Sequence, residues 1–303
     1  MNNTEISVLL KQNFGYDSLR EGQKEVVDII LGGNSAAAIF PTGSGKSLCY
    51  QLPALVLPNL TLVVSPLLAL MKDQVDFLNA HNIPAATIDS TQTAEQSSEV
   101  VRGVKSGAIK ILMISVERLK NERFREFIKQ VPISLMVIDE AHCISEWGHN
   151  FRPDYIKLPN YQHQFNIEQV LLLTATATAN VIDDMSREFS ISDNHVISTG
   201  FYRNNLNLSV VPCADKAKIS YLINYLNSHQ GEAVIIYVTL QKTAEYISQS
   251  LNNNNINSEA YHAGLKSDTR EQIQERFMSS QTLCIVATIA FGMGIDKNNI
   301  RHV

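Results

Sequence analysis

Cysteine is scarce and scattered in this sequence: Cys49, Cys143, Cys213 and Cys284 are the only four among 303 residues. No Cys-x-x-Cys pair occurs, so the spacing excludes a cysteine zinc site and a disulfide framework, and the thiols read as single reduced groups of a cytosolic protein. Long apolar runs are also missing. The start, Met-Asn-Asn-Thr-Glu-Ile, lacks the basic end and apolar core of a signal peptide. The expectation is an intracellular, cytoplasmic chain with no membrane partner, nucleoid-associated if bacterial. Positive charge is in deficit, 25 Lys and Arg against 30 Asp and Glu for a net charge of −5. That excludes a globally basic, histone-like binder of nucleic acid, while a local basic groove stays compatible with an acidic total. Tryptophan occurs once, at Trp147.

What is present is a chain long enough for two domains, 45% hydrophobic with mean hydropathy near zero, as in soluble globular proteins. It is organised around residues 35–47, Ser-Ala-Ala-Ala-Ile-Phe-Pro-Thr-Gly-Ser-Gly-Lys-Ser. An apolar strand running into a glycine-rich turn and then a helix aims backbone N–H groups at one place and can cradle phosphates. In that reading Thr42, Gly43, Ser44 and Gly45 wrap the phosphates, Lys46 reaches the β/γ-phosphates and the Ser47 hydroxyl ligates Mg²⁺. The pattern G-x-x-x-x-G-K-[ST] fails at its first glycine, where Phe40 stands, and a plain Gly/Ser turn is the alternative.

Upstream, residues 4–31 carry helical spacing up to Gly32-Gly33, interrupted at 14–23. There Tyr16, Arg20 and Gln23 could grip adenine by stacking, guanidinium contact and an amide on the purine edge; a surface helical hairpin is the alternative. Downstream, strands are predicted at 61–65, 85–89, 109–115, 133–138 and 170–173, with helices over 66–80, 93–105 and 116–130. Near-continuous apolar strands alternating with helices mean a parallel, doubly wound α/β sheet. Ligands of such sheets gather at the carboxyl ends of the strands, where the motifs fall. The polar stretch 201–205 reads as a boundary. Beyond it, strands at 208–211, 233–238, 258–262, 283–287 and from 300 alternate with helices at 216–227, 242–251 and 268–278.

Asp139-Glu140-Ala141-His142 closes the 133–138 strand. Asp139 would hold Mg²⁺, and Glu140 would orient and deprotonate the water attacking a phosphoryl group. His142 and the Thr174-Ala175-Thr176 turn would sit beside these carboxylates, with Thr capping a helix as the plainer role. Next, 143–155 holds Trp147, His149, Phe151 and Arg152 within a short span. Aromatics interleaved with arginine suit stacking on unpaired bases and phosphate contact; core packing of Trp147 and Phe151 is the alternative.

Taken in order, these motifs, with Val-Ser-Pro-Leu-Leu-Ala-Leu-Met-Lys-Asp-Gln at 64–74, Tyr-His-Ala-Gly-Leu at 261–265 and the 286–297 stretch, resemble the RecQ helicases of superfamily two. The resemblance implies two RecA-like P-loop NTPase lobes with parallel sheets, 1–205 and an incomplete 206–303. It implies ATP with Mg²⁺ as cofactors and DNA, single-stranded and at duplex junctions, as partner. Tyr16, Arg20 and Gln23 would bind adenine, and Trp147, His149, Phe151 and Arg152 would sense single-stranded DNA. Ser65, Pro66, His262 and the turn from Thr288 would line the DNA track or the face between lobes. The implied reaction is ATP-driven unwinding of duplex DNA with 3′ to 5′ polarity.

Asn150 replaces the acidic residue usual in the family, and Tyr237-Val238-Thr239-Leu240 replaces its Tyr-Cys-Asn-Ser. The family's arginine motif, which stabilises transition-state charge and can be worth about 10³ to 10⁵ in rate, is expected beyond Val303. A module that holds ATP and single-stranded DNA with little turnover is therefore the second expectation. An RNA helicase or translocase of the same superfamily is disfavoured by the aromatic-rich loop.

Overall fold

The computed structural model describes residues 3–66, 68–89, 92–148, 152–200, 205–280, 283–291, 297 and 299–303. The chain divides into two compact units, Met1–Asn204 and Asn205–Val303.

The first unit is built on a seven-stranded sheet, every recorded pairing of which is parallel. Its strands are β1 (Ala36–Ile39), β2 (Leu60–Val64), β3 (Ala85–Thr87), β4 (Ile111–Ile114), β5 (Ile133–Ile138), β6 (Val170–Thr174) and β7 (Val196–Ser198), in the order β3-β4-β2-β5-β6-β1-β7. Successive side chains of a strand point to opposite faces, and β1 shows the result. Ala37 and Ile39 enter one core with Phe124, Ile128, Leu158, Val181 and Met185, while Ala36 and Ala38 enter the other with Val26, Val27, Ile30 and Leu52. Both faces are thus covered, and β1 can be apolar at every position. The helices are α1 (Asn3–Phe14), α2 (Gln23–Leu31), α3 (Leu48–Ala54), α4 (Leu68–Ala80), α5 (Ala94–Lys105), α6 (Glu122–Ile128), α7 (Leu158–Gln164) and α8 (Ala179–Glu188). Thr93 opens α5 with a reciprocal capping box to Gln96, as its placement predicts.

One long helix expected over 116–130 is instead two pieces. A 3₁₀ turn, Val116–Lys120, is followed by α6, because Asn121 adopts an extended backbone and its side chain accepts from Phe124 N–H. Asparagine competes well with the helix backbone in this way.

The second unit has a four-stranded parallel sheet of β8 (Ala233–Tyr237), β9 (Ser258–Tyr261), β10 (Cys284–Ala287) and β11 (Ile300–His302), ordered β11-β8-β10-β9. It is packed by α9 (Lys218–Ser228) and α10 (Gln241–Asn252) on one face and α11 (Ser267–Ser279) on the other. The strand expected over 208–211 does not form. Leu208 and Val210 are 89% and 94% exposed in irregular chain; alternation alone does not make a strand when no neighbour completes the ladder. Among the described residues no helix is long and apolar enough to cross a membrane.

Candidate active site

The strand order decides which carboxyl ends meet. β2, β5, β6 and β1 are consecutive neighbours, with Val64 opposite Ile138, Ile138 opposite Leu172, and Thr174 opposite Ile39. Ser65, Asp139-Glu140, the Thr174 turn and the 40–47 loop therefore emerge side by side, although up to 134 residues separate them in sequence.

In the loop, Gly43 and Gly45 both have φ of +79°, a conformation side chains rarely adopt. A Cβ on Gly45 would also lie 2.7 Å from Gln23 Nε2. Thr42, Gly43 and Gly45 are exposed. The Ser44 hydroxyl is buried with no hydrogen-bond partner among the described residues, and a phosphate oxygen in the loop would satisfy it. Lys46 Nζ donates to the carbonyls of Phe40 and Pro41 at 3.0 and 3.3 Å. Burial lowers its pKa, with Glu140 and Asp139 pulling the other way. Ser47 stands at the N-terminus of α3 without a capping bond from its side chain.

Phe40 accounts for the missing first glycine. It is 1% exposed, and a Cβ on Gly22 (φ +77°) would come within 2.9 Å of its ring. The ring wedges the loop against the 14–23 segment, a packing role the pattern does not encode. In that segment Arg20 Nη1 donates to Gly43 O at 2.9 Å. Gln23, 2% exposed, accepts from Arg20 N–H through Oε1 and donates to Ser44 O and Gly45 O through Nε2. The amide expected to meet adenine is thus placed on the 40–47 loop. Tyr16 is 52% exposed, available for stacking.

Asp139 is half-buried, and desolvation with the neighbouring Glu140 charge raises its carboxyl to about 6, against hydrogen bonds from Ser65 Oγ at 3.1 Å and Glu140 N–H at 3.0 Å. Two adjacent, partly desolvated carboxylates whose charges oppose each other are what a divalent cation would relieve, so the residues fit Mg²⁺. Ser65, 3% exposed, lies on this carboxylate. Glu140 takes φ of +51°, strain of the kind that clusters at functional sites. His142 Nδ1 lies 2.8 Å from Thr174 Oγ1 and 3.2 Å from Glu140 Oε2. Burial opposes a charged ring there, but hydrogen bonds to Cys143 and Glu140 outweigh it and lift the imidazole to about 9. Thr174 Oγ1 also donates to Thr176 O at 3.0 Å.

Trp147 is 73% exposed, so it is not core packing. Arg152 N–H donates to Cys143 O at 3.0 Å, closing the base of the loop. His149 and Phe151 lie outside the described residues. Tyr155 escaped the sequence reasoning: it is fully buried, and its hydroxyl donates to Asp139 O at 3.2 Å. Its position at the end of the aromatic stretch was the available signal. In the second unit His262 is buried at the end of β9, its Nε2 3.2 Å from Glu245, and Thr288 at the end of β10 donates its N–H to Tyr261 O. Of the turn expected over 288–294, residues 292–294 lie outside the described residues; Pro66 is half-buried after β2.

Residues 20–185 match the DEAD/DEAH box helicase family and 217–303 the helicase conserved C-terminal domain. The chain is 42% identical over 297 residues to the ATP-dependent DNA helicase RecQ of Bacillus subtilis (strain 168), covering 97% of this chain and 50% of the relative. To the protein of that name from Pasteurella multocida (strain Pm70) it is 42% identical over 291 residues, covering 96% and 46%. The chain thus spans about half the length of these curated relatives. In fold it is similar to Mycobacterium smegmatis helicase Lhr bound to ssDNA and AMP-PNP (TM-score 0.69, 18% identity, 97% of this chain and 43% of that one). It is likewise similar to S. cerevisiae Dbp5 bound to RNA and ADP BeF3 (0.69, 15%, 98% and 78%).

Proposed function

Because the chain belongs to the DEAD/DEAH box helicases, with relatives of the RecQ type along nearly its whole length, we propose that it is the motor core of an ATP-dependent DNA helicase that moves 3′ to 5′ on single-stranded DNA and opens duplex junctions. The observation that carries this reading is the meeting of Lys46 and Ser47 after β1 with Asp139 and Glu140 after β5, one strand apart across β6 and close enough for the carboxylates to act on the lysine. Phe40 and Gln23 lock the loop that bears the first two of these.

The 42–47 turn would bind the phosphates through its amides, the Ser44 hydroxyl and Lys46, with Tyr16 and Arg20 beside the base and Gln23 holding the turn in shape. Ser47 and Asp139 would hold Mg²⁺, which when bound neutralises charge on the transferring phosphoryl group. Glu140, held in its left-handed conformation, would orient the attacking water and take its proton. His142, bridging Glu140 and Thr174, would tie that carboxylate to the β6 turn. Trp147 and Arg152, with His149 and Phe151, would contact the single strand, and Ser65, Pro66, His262 and Thr288 would line the DNA track or relay its occupancy. The two units are proposed as the ATP-binding and C-terminal helicase lobes.

Lys46→Ala in the protein that carries this chain is expected to abolish DNA-stimulated ATP hydrolysis; an unchanged rate would remove the phosphate-loop assignment. Duplexes bearing a 3′ or a 5′ tail, made of DNA or RNA, test polarity and substrate. Preferential opening of the 5′-tailed DNA or of the RNA duplex would overturn the proposal. Turnover by the 303-residue chain alone separates a working motor from a binding module.

A further inference from the structure

Ser145 is 2% exposed, and two partners fix its hydroxyl. Oγ donates to Asp184 Oδ2 at 2.6 Å and accepts from the backbone N–H of Trp147 at 3.2 Å. A serine hydroxyl has one proton to give. With the carboxylate taking it, a lone pair is left for the tryptophan amide. The other oxygen of Asp184 accepts from Arg187 Nη2 at 2.7 Å, which fixes the plane of the carboxylate. These bonds, that from Ser145 foremost, hold the Asp184 carboxyl below its ordinary range. Gly148 N–H then closes on Ser145 O at 2.9 Å. The turn that carries Trp147 is wound around a single hydroxyl.

Asp184 lies in α8, the helix entered from the β6 turn, and the end of β6 holds His142 through Thr174. The stretch 142–148 is therefore fastened to β6–α8 at two points, one beside Glu140 and one beside Trp147. Trp147, Ile144 and Ile156 line a cavity of about 260 Å³ with Asp184, Arg187 and Glu188 of α8. The indole itself is largely solvated, so burial does not position it. The polar link through Ser145 does.

We propose that Asp184 is the positioning residue for the exposed tryptophan: acting through Ser145, it holds the turn that presents Trp147 to single-stranded DNA and ties that turn to the β6–α8 junction beside the nucleotide carboxylates. The proposal rests on the DNA-motor reading above. Asp184 itself touches neither nucleotide nor the reacting atoms.

Trp147 is the sole tryptophan, so fluorescence anisotropy excited at the red edge, where tyrosine does not absorb, reports this turn alone. Asp184→Ala and Ser145→Ala are each expected to lower that anisotropy in the absence of DNA. Each should also weaken binding of a dye-labelled oligothymidine about 5- to 20-fold, the loss of one hydrogen bond to a charged group from a preorganised turn. The double variant should be no weaker than either single one, since both remove the same link. Ser145→Thr, which keeps the hydroxyl, should restore both readouts. Unchanged anisotropy in both alanine variants, or effects that add, would overturn the proposal. If Asp184→Ala does not fold, Ser145→Ala, which leaves α8 intact, decides by the same measurements. Wild-type chain that does not bind oligothymidine would refute the DNA reading, while the anisotropy still decides the positioning role.

Discussion

The phenol of Tyr155 donates a 3.2 Å hydrogen bond to the backbone carbonyl of Asp139, the residue proposed to hold Mg²⁺. One end of the aromatic stretch is thereby bonded to the Asp139-Glu140 turn at the centre of the proposed nucleotide site. Tyr155→Phe keeps the ring packing and leaves that carbonyl without its phenol donor. The expected cost is about 1–2 kcal/mol of stability, together with a weaker DNA response of the ATPase and nearly unchanged nucleotide affinity. Chemical denaturation and nucleotide titration check both. Equal losses in basal and stimulated hydrolysis would mean that the bond only supports the fold.

Asp139 is predicted to be a stability liability. Its folded pKa, about 6, lies above the ordinary 3.8, so the ionised form is penalised in the folded chain and not in the unfolded one. The penalty, about 2–3 kcal/mol, is fully present above pH 6 and fades as pH falls toward 4. Asp139→Asn should therefore raise the melting temperature in chelator at pH 7.5, show no gain near pH 4, and lose hydrolysis. A variant less stable than wild type at pH 7.5 would contradict the burial argument.

Gly148 has no room for a side chain. A Cβ there would lie 2.2 Å from His142 O and 3.0 Å from Ser145 O, both backbone atoms that cannot rotate away. Gly148→Ala is expected to displace the turn bearing Trp147 and to weaken DNA binding about 10-fold or more, an amount of order 1.4 kcal/mol. The core of the first unit should be left intact. Oligonucleotide binding and a thermal melt together check this, and a wild-type affinity would show that the turn rearranges at no cost.

Thiol reactivity separates the four cysteines. Burial pushes Cys49 and Cys284 up to about 12, and Cys143 is buried as well, while Cys213 is partly open in irregular chain. A thiol reagent at pH 8 should titrate one group quickly in native protein and all four after denaturation. Two or more fast groups in the native chain would show that a core thiol is accessible.

The second unit marks where local pattern fails. Leu208 and Val210 alternate with polar neighbours as a strand does, yet stand in water because no described strand pairs with them. Conversely the pattern gives no α7 or β7, and α8 only as the helix that the threonines of the 174–176 turn could cap. β7 is three residues long, too short for a pattern to register, and it exists because β1 offers it an edge. Asp184 and Tyr155 went unnoticed for the same reason: each matters through a partner 39 or 16 residues away, and no local motif records such a pairing.

The sequence by itself determined the class of the protein, the parallel α/β character of both units, and the glycine-rich 40–47 turn and carboxylate pair at strand ends. Those features rest on local chemistry: runs of apolar residues, glycines at positive φ, and acids at strand ends. Tertiary structure alone decided that β6 lies between β5 and β1 so that the motifs meet. It also decided that Phe40 fills the place of a missing glycine by packing on Gly22, that Gln23 clasps the loop, and that an exposed tryptophan hangs from a buried serine. Strand order, burial and the direction of a hydroxyl proton depend on neighbours that only the folded chain brings together.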